Sequence, residues 1–199
     1  MSTLTFAETK GVCELAYDGE RNESYRFPDG TSWSIRDTES SWMSGFKAIF
    51  IQGNGKSVLA FAGTDSLLDV AVDIAQVAGD VPSQYREALL YTGVVRRSAR
   101  NLILAGHSLG GGLAAYCSVH TRLRAYTVNP APLVGAATWS ALVGDNSQIT
   151  NYVAQGGEFV SSSPGRNPGI DVEMPSSGNI FSRHSLGNVD PSVPLPTRE

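Results

Sequence analysis

The sequence is poor in the residue types that build metal clusters, disulfide frameworks and nucleic-acid surfaces. Its 199 residues include two cysteines, Cys13 and Cys117, and three histidines. Two cysteines so far apart predict neither a disulfide framework nor a zinc site. Lysine and arginine total 15 against 19 acidic residues, for a net charge of −4, and they form no basic run. The composition therefore argues against a nucleic-acid-binding protein.

Targeting and membrane-spanning patterns are missing as well. The opening residues, MSTLTFAETK, lack the basic-then-apolar order of a signal peptide, and no apolar run approaches the ~18 residues of a spanning helix. We therefore expect a protein that is not integral to a membrane. It would be cytoplasmic, or exported by a route that needs no cleavable signal peptide.

The distribution of apolar runs and turn residues predicts one domain over 1–199, divided into three regions. An N-terminal helix and an irregular segment occupy 1–44, with one short strand indicated around 33–35 within the irregular residues 22–44, and the core occupies 45–160. A loop segment rich in Ser, Pro and Gly occupies 161–199.

Within the core, the order of the elements predicts an α/β fold. The apolar patterns indicate, in order, strands 46–52 and 57–63, helices 65–80 and 82–99, strand 101–106, helix 109–120, strand 124–130, helix 137–144 and strand 148–154. This alternation is typical of a mostly parallel central sheet flanked by helices. The run NLILAG at 101–106 has no polar alternation, which predicts a strand buried on both faces.

The segment GHSLG at 106–110 has the G-x-S-x-G form of a nucleophile elbow. The bare pattern is weak evidence in a chain with 21 glycines, but here a buried-type strand precedes it and a helical segment follows it. The two outer glycines leave room for a sharp turn, and the helix N-terminus directs partial positive charge toward Ser108. We therefore expect Ser108 to be a catalytic nucleophile.

The scarcity of histidine narrows the choice of a general base for Ser108. His107 is adjacent in sequence, and at an elbow its side chain points away from that of Ser108. His120 lies down the following helix, about 18 Å along the axis at 1.5 Å per residue. His184 remains, in a late loop, where the chain order serine, acid, histidine puts the base. His107 and His120 are expected in packing or surface roles.

Four carboxylates lie between the nucleophile and this histidine: Asp145, Glu158, Asp171 and Glu173. Glu158 is favoured, because it comes just past the end of the strand predicted at 148–154, where the acid normally leaves the sheet. Asp171 is the second choice. Asp145 precedes that strand and is better explained as a turn residue. Glu173 as the acid, and a site without an acid, remain further alternatives.

Negative charge that develops on a substrate carbonyl needs hydrogen-bond donors aimed at it. The backbone N–H of Leu109, directly after the nucleophile, is one expected donor. The second is expected from the turn AGTDS at 62–66, where Thr64 offers its backbone N–H and its hydroxyl.

These motifs together resemble the class 3, or fungal-type, lipases, in their bacterial lipase-like branch. The resemblance covers 45–187 and runs through GFKAIFIQGNGKSVLAFAGTDSLLDVAVDIA, AGHSLGGGLAAYCS, VNPAPLVG, ITNYVAQGGEFVS and RHSLGNV. It departs from the family at two positions. Ala62 stands where the family usually has arginine, and Glu158, after an extra glycine, stands where the family usually has aspartate.

The resemblance implies an α/β-hydrolase fold with an elbow at 106–110, and a role for each candidate residue. Carried over position by position, these roles are Ser108 as nucleophile, Glu158 as acid, His184 as base, and Thr64 with Leu109 as oxyanion donors.

The reaction that the resemblance implies is cleavage of carboxylic esters of lipids, by a lipase or phospholipase, through an acyl-enzyme. Segment 66–80 lies where the family carries a lid, although its apolar stripe equally fits a helix packed permanently on the core. A short-chain esterase, a thioesterase or amidase with the same residues, and an inactive hydrolase fold that serves as a binding module stay open. This chemistry requires no metal and no organic cofactor.

The partners implied are a lipid or ester substrate and, transiently, a membrane surface. A resemblance to bacterial antibacterial lipase effectors favours export, and would add a secretion apparatus or an immunity protein as partners.

Overall fold

The computed structural model describes residues 2–64, 81–135, 137–138 and 144–199. In this part of the chain the strands are β1 (Ser24–Arg26), β2 (Ser32–Ser41), β3 (Phe46–Gly53), β4 (Lys56–Phe61), β5 (Leu102–His107), β6 (Ala125–Val128), β7 (Ile149–Ala154), β8 (Ile170–Met174) and β9 (Thr197–Arg198). The α-helices are α1 (Phe6–Asp18), α2 (Ser83–Ser98) and α3 (Leu109–Thr121), and the 3-10 helices are Ser182–His184 and Leu186–Asn188.

The described strands form one sheet in the order β8-β7-β6-β5-β4-β3-β2-β1-β9. Strands β4 to β8 run parallel to one another, while the pairs from β4 through β3, β2 and β1 to β9 are antiparallel. All five parallel strands therefore end at the same edge of the sheet, which we call the carboxyl edge. Loops that follow parallel strands at this edge are where α/β proteins bind ligands.

Helices cover both faces of the central strands. Helix α1 packs on one face with Ile49, Ile51 and Ile103, whereas α2 and α3 pack on the other with Leu59 and Leu104. Strand β5 is buried along its whole length, as its unbroken apolar run predicts. The predicted α/β architecture, a mostly parallel sheet between helices, is confirmed.

The prediction for residues 22–44, an irregular segment with a short strand around 33–35, is right about that strand and wrong about the extent of regular structure. Strands β1 and β2 occupy most of this segment, and β2 pairs with β3 over its length, with a register shift between Ile35 and Asp37. In β2 the side chains of Trp33 and Ile35 are fully buried, while its serines and acids lie outward. Ser and Asp disfavour strands on their own, so this strand depends on its pairing with β3, which the local sequence does not reveal.

The other predicted elements have mixed outcomes. Helix 82–99 is confirmed as α2, while the predicted helix at 65–80, with the lid segment 66–80, lies outside the described residues. Most of the helix predicted at 137–144 also lies outside them. The segment 161–199 is mostly loop, but it contributes β8 and β9 to the two ends of the sheet. None of the described helices has the length and apolar character needed to cross a bilayer.

A buried lysine attaches α1 to the C-terminal segment. Lys10 is 1% exposed, and its Nζ donates to the carbonyl oxygens of Val189 at 2.9 Å, Asp190 at 3.0 Å and Val193 at 2.8 Å. An ammonium group has three protons to donate, so these three carbonyls satisfy it completely. Lys10 therefore takes the place of water as the donor to these backbone carbonyls.

We expect Lys10→Met to lower the free energy of unfolding by about 2 to 3 kcal/mol, because it leaves buried carbonyl oxygens without a donor. The measurement is urea denaturation followed by circular dichroism. Arg100→Met, at an exposed position, is the control and should change stability by less than about 0.5 kcal/mol. Equal stabilities for the two variants would contradict this role for Lys10.

Candidate active site

The predicted elbow is present as a strand-to-helix turn centred on Ser108. Strand β5 ends at His107, α3 begins at Leu109, and Ser108 between them has φ 57° and ψ −129°. A non-glycine residue in this region carries backbone strain of about 1 to 3 kcal/mol, which the surrounding structure must hold in place. The carbonyl oxygen of Ser108 is held by the backbone N–H of Ala131 at 2.8 Å and of Gly112 at 3.2 Å.

Two glycines of the motif make the turn sterically possible. A Cβ on Gly106 would stand 2.1 Å from the carbonyl oxygen of Gly110, and a Cβ on Gly110 would stand 2.1 Å from that of Phe61. These are backbone atoms that no side-chain rotation can move away. Any larger residue at either position would therefore push α3 away from β4 and β5.

The structure brings Glu158 and His184 together. Oε2 of Glu158 lies 2.8 Å from Nδ1 of His184, and both side chains are buried. Glu158 follows the end of β7, and His184 closes the first 3-10 helix, so two separate loops of the carboxyl edge supply the pair. The contact gives the His184 ring a fixed orientation, with Nδ1–H donating to the carboxylate and Nε2 left as an acceptor.

The carboxylate of Glu158 is kept charged by its hydrogen bonds. Burial alone would raise its pKa, but the hydrogen bond and charge of His184 and the backbone N–H of Ser161 lower the pKa below its usual value. The N–H of Val160 adds a further hydrogen bond at 2.7 Å. A carboxylate that accepts several N–H donors stays ionised even without a neighbouring Lys or Arg.

Ser108 and His184 meet at the same end of β5 without being joined by a hydrogen bond. Ser108 Oγ is buried and has no hydrogen-bond partner among the described residues. A cavity of about 370 Å³ opens beside His184, with His107, Thr64 and Phe181 also in its wall. Catalytic hydrogen bonds are often long or unmade in the absence of substrate and tighten when it binds.

The two expected oxyanion donors flank Ser108. A Cβ on Gly63 would stand 2.9 Å from Cβ of Ser108, so the turn after β4 lies in close contact with Ser108. Thr64 is half-buried in this turn. Leu109 is the first residue of α3, and N–H groups in the first turn of a helix have no acceptor inside the helix.

The three other candidate carboxylates are placed differently from Glu158. Asp171 is on β8, and its Oδ1 accepts from Nδ2 of Asn151 at 2.9 Å. Glu173 is exposed on the same strand. Asp145 accepts from the backbone N–H of Ser147 at 2.8 Å, as expected of a turn residue. Within the described chain, Glu158 is the carboxylate that reaches His184.

Sequence reasoning missed what His107 does. Its Nε2 lies 2.7 Å from the carbonyl oxygen of His184, and its Nδ1 lies 2.7 Å from the hydroxyl of Tyr17. A carbonyl only accepts, so Nε2 carries the proton and Nδ1 accepts from Tyr17. Burial, helped by the charge of His184, lowers the pKa of His107 to about 3. His107 is thus a neutral buried link between α1 and the backbone of His184.

Asn129 is a second link that the sequence did not reveal. It is fully buried, and its Nδ2 donates to the carbonyl oxygens of Arg183 at 3.0 Å and His184 at 3.3 Å, while its Oδ1 accepts from the N–H of Ala154. The Asn-Pro pair directly after β6 indicates a turn in the sequence, but it does not indicate which groups the Asn129 side chain binds. His120, by contrast, is exposed at the end of α3, as expected.

The arrangement of these residues suits acyl transfer. No group of three or more His, Cys, Asp and Glu in the described ranges could hold a metal ion. A strained serine at a helix N-terminus, beside an imidazole oriented by a carboxylate, has the components of nucleophilic catalysis with a general base.

Comparisons with known proteins agree with this chemistry. A family model described as "Phospholipase-like: Tle-like phospholipase domain" matches residues 21–159. The extracellular phospholipase A1 of Serratia liquefaciens is 38% identical over 89 residues, which is 44% of this chain and 28% of that protein. The matched part thus spans less than a third of the length of this relative.

Solved lipase structures share the fold. The lipase from Rhizopus microsporus var. chinensis superposes with a TM-score of 0.60 over 93% of this chain and 78% of its own, at 15% identity. The triacylglycerol lipase from Penicillium expansum gives 0.58 over 87% and 79%, at 14% identity. At these identities the likeness establishes the fold alone, and it confirms the expected α/β-hydrolase fold.

The neutral state of His107 predicts a specific acid sensitivity. The unfolded chain binds a proton at His107 below about pH 6.5, whereas the folded protein binds it only near pH 3. Between these values the unfolded state holds one more proton, so stability falls by about 1.4 kcal/mol for each pH unit lost. In urea denaturation between pH 7 and pH 4, His107→Gln should lose stability less steeply than the parent.

His120→Gln, at an exposed histidine, is the control and should keep the slope of the parent. Parallel slopes for the parent and His107→Gln would contradict the assignment of a neutral His107.

Proposed function

Because this chain belongs to the Tle-like phospholipase domain family, we propose that it is a serine hydrolase that cleaves carboxylic esters of lipids. The observation that carries the proposal is the Glu158–His184 hydrogen bond, buried beside a strained Ser108. A neutral packing role would not need a buried carboxylate to orient an imidazole next to a nucleophile elbow.

In the proposed mechanism, Ser108 Oγ attacks the ester carbonyl while His184 Nε2 removes its proton. Glu158 stabilises the imidazolium that results. The N–H groups of Leu109 and Thr64 donate to the oxyanion of the tetrahedral intermediate. Collapse of that intermediate expels the alcohol, which takes the proton from His184. The acyl group stays on Ser108 as an ester. Water then attacks this acyl-enzyme with His184 again as base, and free acid is released.

In this mechanism the hydrogen bond between Ser108 Oγ and His184 Nε2 forms when substrate binds. Ser108 Oγ has no other partner among the described residues, which leaves it available for that bond. The α3 dipole stabilises negative charge at this end of the helix, which favours the intermediate over bound substrate.

Two observations support lipid as the substrate class. The family is described by its phospholipase domain, and the Serratia relative is a phospholipase A1. Phe181 contributes an aromatic ring to the wall of the cavity, which suits an acyl chain. The relative's extracellular location further supports export of this chain.

We expect an organofluorophosphonate probe to label the parent protein on Ser108, because the probe reacts with an activated serine. Ser108→Ala should abolish both labelling and hydrolysis of medium- and long-chain phospholipids. The measurement is mass spectrometry of the labelled peptide together with fatty-acid release. Ser185→Ala, which removes an exposed hydroxyl from the same cavity, should label normally.

The substrate panel separates the alternatives. Hydrolysis confined to short-chain esters would identify the protein as an esterase rather than a lipase. A preference for thioesters or amides would identify it as a thioesterase or an amidase. If the folded protein were not labelled at all, the remaining interpretation would be an inactive hydrolase fold that serves as a binding module.

We expect Glu158→Gln to lower kcat at least about 100-fold with little change in KM, because the amide keeps the shape but cannot stabilise the imidazolium. Asp171→Asn is the matched control, since Asp171 was the second candidate acid and bonds Asn151 instead. Steady-state kinetics on a soluble ester measure both. If Asp171→Asn lost activity and Glu158→Gln kept it, the acid assigned to His184 would be wrong.

A further inference from the structure

One acidic side chain lies in the wall of the cavity beside His184. It is Glu14, on α1, and Tyr17, about one helical turn later, lies in the same wall. The other described residues of the wall are two histidines and neutral side chains, with no lysine or arginine among them. A cavity whose fixed charge is a carboxylate attracts cations and repels anions. The cavity therefore suits a ligand with a positive end.

A short series of contacts connects this carboxylate to the catalytic pair. Glu14 and Tyr17 are three positions apart on a helix, which sets their Cβ atoms about 5 to 6 Å apart. The Tyr17 hydroxyl lies 2.7 Å from Nδ1 of His107, whose ring centroid is 4.7 Å from that of His184. In a phospholipid, glycerol and phosphate separate the ester from the headgroup. A residue that binds the headgroup must therefore share the cavity with His184 and stand some distance from it, and Glu14 does both.

The carboxylate of Glu14 lacks the cation that its position on the helix would favour. Lys10, four positions earlier, would be the usual partner, but its three protons go to backbone carbonyls of the C-terminal segment. Burial and the charge of Asp18 raise the pKa of Glu14, and together they outweigh the opposite effect of Lys10. A cation in the cavity would reverse this shift, because an opposite charge favours the ionised carboxyl.

The chemistry of the wall selects the kind of cation. A primary ammonium donates up to three hydrogen bonds, and the half-buried carboxylate of Glu14 offers it acceptors. A quaternary ammonium donates none and is held by cages of aromatic rings, whereas α1 contributes one aromatic ring to the wall, that of Tyr17. The exposed hydroxyl of Ser185, in the same wall, is suited to donate to the phosphate that precedes such a headgroup.

We propose that Glu14, with Tyr17 beside it, forms a subsite for a primary ammonium headgroup, so that the preferred substrate is an ethanolamine phospholipid. This inference deepens the proposed function and rests on it, because the same cavity contains the imidazole that would activate Ser108. A phospholipid with a glycerol headgroup carries a net negative charge, which the carboxylate repels. A choline headgroup has the positive charge but no N–H to donate.

Headgroup preference is measured as a ratio of kcat/KM values, on dihexanoyl phosphatidylethanolamine over dihexanoyl phosphatidylglycerol. Both are used as dissolved monomers, so that no lipid surface contributes. We expect the parent to favour ethanolamine at least about tenfold, because hydrogen bonds between charged groups are the strong ones. Glu14→Gln should reduce the ratio to below about threefold, since an amide keeps the shape without the charge, and Glu14→Lys should invert it. The choline lipid should fall between the other two in the parent.

Asp18→Asn is the matched control. It removes the same charge from the exposed last residue of α1, outside the cavity wall, and should keep the parent ratio. A soluble ester without a headgroup, p-nitrophenyl butyrate, reports on the catalytic residues alone. If Glu14→Gln lowered kcat/KM on this ester as much as on phosphatidylethanolamine, the role of Glu14 would be structural and the subsite would be wrong. Circular dichroism checks that each variant is folded.

Headgroup binding has a readout that needs no catalysis. In the Ser108→Ala background, saturation-transfer NMR with glycerophosphoethanolamine should show transfer to the ethanolamine protons. Adding Glu14→Gln should remove most of this transfer, and adding Asp18→Asn should keep it. Glycerophosphoglycerol should give a weaker signal, because its phosphate charge is not balanced by an ammonium. Equal transfer to both compounds would contradict the subsite.

Equal kcat/KM values for the three headgroups in the parent would overturn the proposal, as would an unchanged ratio in Glu14→Gln. A failure of the proposed function is distinguishable, because it removes probe labelling and ester hydrolysis in every variant and leaves the NMR measurement of headgroup binding in place.

Discussion

The carbonyl oxygen of His184 is the point on which the candidate site depends. It accepts hydrogen bonds from His107 Nε2 and from Asn129 Nδ2, which stand at the ends of β5 and β6. The segment that carries His184 is largely loop. Two side chains at the ends of the central strands hold the backbone of His184 in place, and Lys10 holds the backbone that follows.

Electrostatics at the site follow from the same arrangement. Glu158 is fully buried, and its negative charge is stabilised by hydrogen bonds from backbone N–H groups and from His184. His107 lies next to His184, with ring centroids 4.7 Å apart, and two charged imidazoles at that distance would repel each other. Burial keeps His107 neutral, so this repulsion does not arise. His107, although it is adjacent to Ser108 in sequence, thus contacts the backbone of His184.

Some structural features had little or no local signal. The sequence indicated only the 33–35 part of strand β2, which is otherwise rich in Ser, Asp and Glu. The full strand comes from pairing with β3 and from burial of two alternate side chains, Trp33 and Ile35. Tyr17 and Asn129 are far from His184 along the chain, and nothing in the residues around them indicates that partner.

The sequence by itself determined the α/β order of elements and the elbow around Ser108, because periodic burial, glycine sterics and the strand–turn–helix context are local properties. It also singled out His184, since three histidines left little choice, and it favoured Glu158 by its position after a strand. Only the tertiary structure decided which carboxylate meets His184. That contact joins loops that follow different strands, and its geometry depends on parallel pairing and on hydrogen bonds between residues distant in the chain.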